Sequence, residues 1–197
     1  MIVLASQSAS RRALLRAAGV PFEAMSPGVD EEAAKEALRA DGLDARALAD
    51  ALAELKALRV SRRVPGGLIL GCDQTLSLED GTMIDKAVDR DDAERILRLL
   101  SGRVHHLHSA AVIALNGEPI WRHIERVRMT VRPLSDAFIT DYLDKEWEEC
   151  RWCVGNYRIE GPGVQLFTKV EGSQFAIQGL PLLPLLDFLR IRGVLPS

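Results

Sequence analysis

Apolar and polar positions alternate between two periods along this chain. Ile2–Ala5 is a short apolar run that stops at a serine-rich stretch, which predicts a buried strand leading into a helix. Leu14, Leu15 and Ala18 keep helical spacing, and Gly19 with Pro21 ends it. Phe22–Met25 reads as a second strand. Asp30-Glu31-Glu32 opens a charged, Ala-rich helix to Ala40. A further helix runs from Asp44 to Val60, with Leu48, Leu52, Leu55 and Leu58 on one face, and Pro65-Gly66-Gly67 breaks it. Leu68-Ile69-Leu70 starts a strongly apolar strand that runs into Gly71-Cys72-Asp73-Gln74-Thr75 and is expected to end at Asp73. Asp89 to Leu100 is a helix with Ala93, Ile96, Leu97 and Leu100 on one stripe.

The middle of the chain changes period. Val104–Leu115 and Ile120–Arg132 flank Asn116-Gly117, a strong hairpin pair, and Val127, Met129 and Val131 alternate with Arg126, Arg128 and Thr130. Ser135 caps a helix carrying Phe138, Ile139 and Tyr142. Gly155 to Gly179 reads as mixed loop and strand, and Leu182 to Ile191 as a closing helix. Strands and helices alternate around one long hairpin, which a purely parallel sheet cannot contain. The expected fold is α/β: an elongated, mixed, twisted sheet flanked by helices, with two lobes around a central cleft.

Composition narrows the class. The chain has 197 residues, 47% apolar and 27% charged, which suits one soluble domain over 1–197 with its own core. No apolar run approaches the ~18 residues of a membrane span, and the opening residues lack the basic stretch of a secretory signal. A net charge of −3 offers no basic field for nucleic acid. Three cysteines make no disulfide framework, so a reducing cytoplasm is expected. Cys150 and Cys153 form a C-x-x-C. Zinc would need Cys72 and one of His105, His106 or His108 besides, so packed thiols are the expectation.

The residues suited to chemistry lie at the ends of these elements. Arg11, Arg12 and Arg16 sit early in the first helix, where positive charge opposes the helix dipole. With hydroxyls from Ser6, Ser8 and Ser10 and the free N–H groups of a helix N-terminus, they suit a triphosphate. The chain has no G-x₄-G-K-[ST], so this is not a P-loop. Asp73, expected at a strand end, could hold Mg²⁺ or activate water. Gln74 offers a donor and an acceptor to a base edge. Lys56 and Lys86 are candidate phosphate ligands. Glu160, in a Gly-flanked turn, could accept two N–H bonds from guanine.

These residues, in this order, resemble the Maf-like, or septum-formation-inhibitor-like, family. Leu4-Ala5-Ser6-Gln7-Ser8-Ala9-Ser10-Arg11-Arg12-Ala13-Leu14-Leu15 is similar to its opening L-A-S-x-S-P-x-R-R-x-L-L. Gly71-Cys72-Asp73-Gln74 resembles G-[AS]-D-[TQ]; Lys86 matches the lysine of its K-P step; Leu100-Ser101-Gly102 with His105 resembles L-S-G-x-x-H. Gly155-Asn156-Tyr157-Arg158-Ile159-Glu160-Gly161 resembles G-x-[YF]-x-x-[QE]-G, and Gly179-Leu180-Pro181-Leu182 its closing G-L-P-L.

The resemblance implies a Maf/ITPase-like fold, a homodimer, a divalent cation (Mg²⁺ or Mn²⁺), and hydrolysis of a nucleoside triphosphate to monophosphate and pyrophosphate. It implies Asp73 as proton acceptor for the attacking water and as a metal ligand, with Ser8, Arg11, Lys56 and Lys86 along the phosphates. Ser10, Gln74 and Glu160 fall where the family sets substrate specificity. Gln74 and Glu160 match the branch that acts on 7-methyl-GTP, whereas Ser10 matches neither that branch's tryptophan nor the arginine of the pyrimidine branch. Ala9, Ala87 and Ser109 also depart from the family pattern. The competing expectation, from the family's older name, is a non-catalytic nucleotide-binding regulator of cell division.

Overall fold

The structure is a computed structural model that describes residues 1–196. Four of the expected elements form the front of the chain: strand β1 (Ile2–Ala5), helix α1 (Ala9–Ala17), strand β2 (Phe22–Ala24) and helix α2 (Glu31–Ala40). Helix α3 (Ala45–Ser61) follows, then strand β3 (Leu68–Leu78), the short strand β4 (Met83–Ile84) and helix α4 (Arg90–Leu100). The hairpin is β5 (Val104–Leu115) and β6 (Glu118–Val131), and it leads to helix α5 (Asp136–Cys150). Strand β7 (Phe167–Glu171), helix α6 (Gln174–Ile177) and helix α7 (Leu182–Ile191) complete the chain. The sheet order is β2-β1-β3-β5-β6-β7, with β4 on β3. The sheet is mixed: β1 pairs parallel with β2 and β3, while β4 and β7 pair antiparallel. No helix among the described residues is long and apolar enough to cross a membrane.

One strand corrects the sequence reading. Asp73 does not end β3; it lies mid-strand, and pairing continues to Leu76 and Ser77 opposite β4. What ends near Asp73 is its neighbour: β1 runs beside β3 only from Ile2↔Leu68 to Ala5↔Gly71. The strand end beside Asp73 is therefore the carboxyl end of β1, not of β3.

The chain divides into two compact units. One comprises Met1–Gln74, His108–Glu125 and the described chain from Gly179; the other comprises Thr75–Leu107 and Arg126–Gln178. In the first, α3 packs on the sheet through small residues. Ala49, Ala53 and Ala57 meet Ala110, Val112 and Ala114 of β5. Leu48 and Leu52 are buried as expected, but Leu55 is 37% exposed, because the buried stripe turns instead through Ala53, Lys56, Ala57 and Val60. Gly71 marks the closest approach. A Cβ there would stand 2.1 Å from the Ala53 carbonyl oxygen and 2.6 Å from the Ala57 nitrogen. The hairpin turn closes with Asn116 and Gly117 at positive φ, as a type I′ pair requires.

The second unit has a larger apolar core. The α4 stripe of Ala93, Ile96, Leu97 and Leu100 packs with Val127, Met129 and Val131 of β6 and with Ile139, Tyr142 and Leu143 of α5. Ser135 caps α5 by accepting from the Phe138 N–H at 3.2 Å. The stretch expected as mixed loop and strand resolves into two short 3₁₀ turns, β7 and α6.

Candidate active site

In the first unit, β1, α1, α3 and β3 bring together a carboxylate, a lysine and an arginine. Because Gly71 lets α3 sit close on β3, the Lys56 ammonium reaches the carboxylate of Asp73: Nζ donates to Oδ1 at 2.6 Å. Both groups are buried. The same ammonium pairs with Glu31, from the first turn of α2, at 2.9 Å. Two carboxylates thus share one cation. The second oxygen of Asp73, Oδ2, is buried and has no hydrogen-bond partner among the described residues. An unsatisfied buried carboxylate oxygen is costly and calls for a guest such as water or a cation.

Just past the end of β1, Ser8 caps α1 by accepting from the Arg11 N–H at 3.4 Å. Of the three early arginines, Arg11 alone turns toward the rest of this cluster. Its Nε donates to the Gly179 carbonyl at 2.8 Å and its Nη1 to the Ser6 hydroxyl at 3.3 Å. Arg12 instead caps the Gln7 carbonyl at 2.8 Å, and Arg16 lies over Phe22. Ser6 was expected to donate to phosphate. In the structure its oxygen accepts from both Arg11 Nη1 and the Ser8 N–H, which ties the two together and leaves its O–H able to donate. Cys72, between Gly71 and Asp73, is buried; burial pushes its thiol up to about 11, while nearby Arg11 and Lys56 pull the other way.

Gln74 follows Asp73, and its Nε2 donates to the buried Ser109 hydroxyl of β5 at 2.8 Å. The amide therefore has a fixed orientation. Ser10 is half-buried on α1. Lys86 and Glu160 belong to the second unit: Lys86 is exposed just after β4, and Glu160 is exposed in the turn where the Gly161 N–H reaches back to the Arg158 carbonyl at 3.3 Å.

The sequence reading missed Glu31, Ser109 and Gly179 as members of this site. Glu31 looked like an ordinary first-turn acid favourable to the helix dipole. No spacing links it to Lys56, since the contact depends on how α2 and α3 pack. Among the described residues, no three or more His, Cys, Asp or Glu side chains converge as metal ligands, so the C-x-x-C has no zinc set. Among the described residues no disulfide joins Cys72, Cys150 or Cys153, and burial pushes Cys150 up to about 12.

Residues 1–191 match the model of the family described as Maf-like protein. The chain belongs to the Maf-like protein family. This Maf-like protein is 53% identical over 194 residues to a nucleoside triphosphate pyrophosphatase of Caulobacter vibrioides, covering 98% of this chain and 96% of that one. It is 51% identical over 196 residues to a protein of the same name from Sphingopyxis alaskensis, covering 100% and 99%. Among solved structures, a nucleoside-triphosphatase (dITP/XTP pyrophosphatase) from Mycobacterium abscessus aligns over 99% of this chain and 97% of its own, at 15% identity and a TM-score of 0.44.

Proposed function

We propose that this Maf-like protein is a nucleoside triphosphate pyrophosphatase that cleaves between the α and β phosphates. Water attacks the α phosphorus, its proton passes to Asp73, and pyrophosphate leaves, giving the monophosphate. The observation that carries this reading is the buried, unpartnered Oδ2 of Asp73 in a carboxylate whose other oxygen is pinned by Lys56. Lys56 fixes the carboxylate plane, so Oδ2 is the oxygen left to receive a proton. A purely regulatory nucleotide binder has no use for such an oxygen.

Arg11 and the Ser8 hydroxyl bind phosphate oxygens at the start of α1, where backbone N–H groups add their own dipoles. The neighbouring Glu31 suits a hard divalent cation: with phosphate oxygens it would hold Mg²⁺ or Mn²⁺, and the ion would supply charge neutralisation on the triphosphate. Asp73 as a further metal ligand comes from the resemblance alone. The role of Lys86 at the phosphates comes from the resemblance alone, as does the homodimer; the cytoplasmic location rests on the three cysteines.

The base is proposed to be a guanine, with 7-methyl-GTP as the leading substrate. An ionised Glu160 only accepts hydrogen bonds, so it complements the N1–H and amino group of guanine and opposes the carbonyl edge of a pyrimidine. The test is a panel of GTP, 7-methyl-GTP, dTTP and UTP with Mg²⁺, in which pyrophosphate and phosphate are detected separately. Pyrophosphate should be the first product, and guanine nucleotides should be preferred. Orthophosphate as first product overturns the reaction. Faster turnover of dTTP or UTP than of both guanine nucleotides overturns the base.

A further inference from the structure

We infer that the Gly179 carbonyl and the Ser6 hydroxyl are positioning groups for Arg11, and that they make it grip phosphate end-on, through Nη1 and Nη2. The inference deepens the proposed function, since it rests on Arg11 acting at the phosphates.

A guanidinium carries five N–H donors in a rigid fork. It meets an oxyanion in a bidentate way either side-on, through Nε and Nη2, or end-on, through Nη1 and Nη2. In this protein Nε is spent on the Gly179 carbonyl at 2.8 Å, which closes the side-on edge. One N–H of Nη1 goes to Ser6 at 3.3 Å, and Nη2 has no partner among the described residues. The remaining N–H of Nη1 and those of Nη2 make an end-on fork whose plane is set from two sides.

Both anchors are built for the task. Gly179 has φ +89°, a backbone conformation that strains any L side chain, and this conformation directs its carbonyl to Arg11. A Cβ there would also stand 3.2 Å from both Nε and Nη2. Ser6 is buried just after β1, and its oxygen ties the Ser8 N–H, at the cap of α1, to the arginine on the same helix. The helix start and the guanidinium thus share one reference point.

The experiment is a double-mutant cycle read as kcat/KM for GTP and UTP, with thermal melting and with calorimetric binding of α,β-methylene-GTP. Ser6→Ala should lower kcat/KM ~10-fold, by a similar factor for both bases because the grip is on phosphate. In an Arg11→Ala background, Ser6→Ala should change kcat/KM by less than ~2-fold, since the group it positions is gone. Ser6→Thr, which retains the hydroxyl, should restore most of the rate. Gly179→Ala should behave like Ser6→Ala or worse; if it does not fold, the Ser6 cycle decides. An equal loss from Ser6→Ala in both backgrounds shows a merely structural serine and overturns the inference. Wild-type kcat/KM in Arg11→Ala removes arginine from the phosphates, and the proposed phosphate site falls together with the inference.

Discussion

Asp73 and Lys56 are buried and bonded to each other, and such a pair responds unequally to losing either member. Asp73→Asn leaves Lys56 its second partner, Glu31, at 2.9 Å. The fold should survive, while the rate of pyrophosphate release falls at least ~10²-fold if Asp73 is the proton acceptor. Ordinary turnover in that variant would mean that another group takes the proton. Lys56→Met is harsher, because it strands a buried carboxylate. It should cost ~3–5 kcal/mol of stability, seen as a lower melting temperature, besides abolishing activity. Ser10 gives a prediction about the base. A serine offers no ring to the cationic methylated guanine, and Trp121, on the same unit, already stacks on Phe188 at 5.2 Å. The missing cation–π attraction, ~0.5–2 kcal/mol, predicts that any preference for 7-methyl-GTP over GTP is weaker by roughly two- to thirty-fold than a tryptophan would give. Ser10→Trp should raise the ratio of the two specificity constants; an unchanged ratio would place the ring contact elsewhere.

At the scale of elements, the contact between α3 and β3 sets the catalytic geometry. Gly71→Ala would drive a methyl into the Ala53 carbonyl and the Ala57 nitrogen, so the helix must retreat. The overpacking costs ~1–3 kcal/mol. Lys56 moves with the helix, so activity measured well below the melting temperature should fall by more than the stability loss explains. A variant with full activity and reduced stability would uncouple the two. This contact also shows what a sequence can display. The alanine-rich α3, the buried strand at Leu68–Leu70 and the Asn-Gly hairpin were all readable, because each depends on local period or turn chemistry. The length of β3 was not, because a strand that outruns one neighbour is sustained by others far away in the chain. Asp73 and Arg11 were recognisable from their motifs. The pairing of Glu31 with Lys56 and the bond from Arg11 to Gly179 were not, since both contacts come from tertiary packing.

For the whole molecule, one buried histidine contributes to the response to acid. His105 is fully buried with Nε2 2.7 Å from the Tyr157 hydroxyl, and burial, then the neighbouring His106, pushes it down to about 3. Between pH 6.5 and about 3 the unfolded chain takes up this proton and the folded chain does not. The contribution of His105 to stability is therefore fully present above pH 6.5 and is lost as pH falls, by up to about 1.4 kcal/mol per unit. Urea midpoints at pH 7 and near pH 4.5 should show the drop in wild type and a shallower one in His105→Gln. Equal slopes would assign the acid sensitivity to other groups.

The bond from Arg11 to Gly179 spans 168 residues, and that distance has a meaning in time. A ribosome makes the arginine 168 residues before its anchor. Until Gly179 is made, the nascent chain carries the start of α1 with Ser6 as the one available anchor for its guanidinium. A product cut short before residue 179 keeps Asp73, Lys56 and Arg11 and still lacks one hook of the fork. The finished site is thus a late event, and an incomplete chain should make a poor competitor for cellular nucleotides.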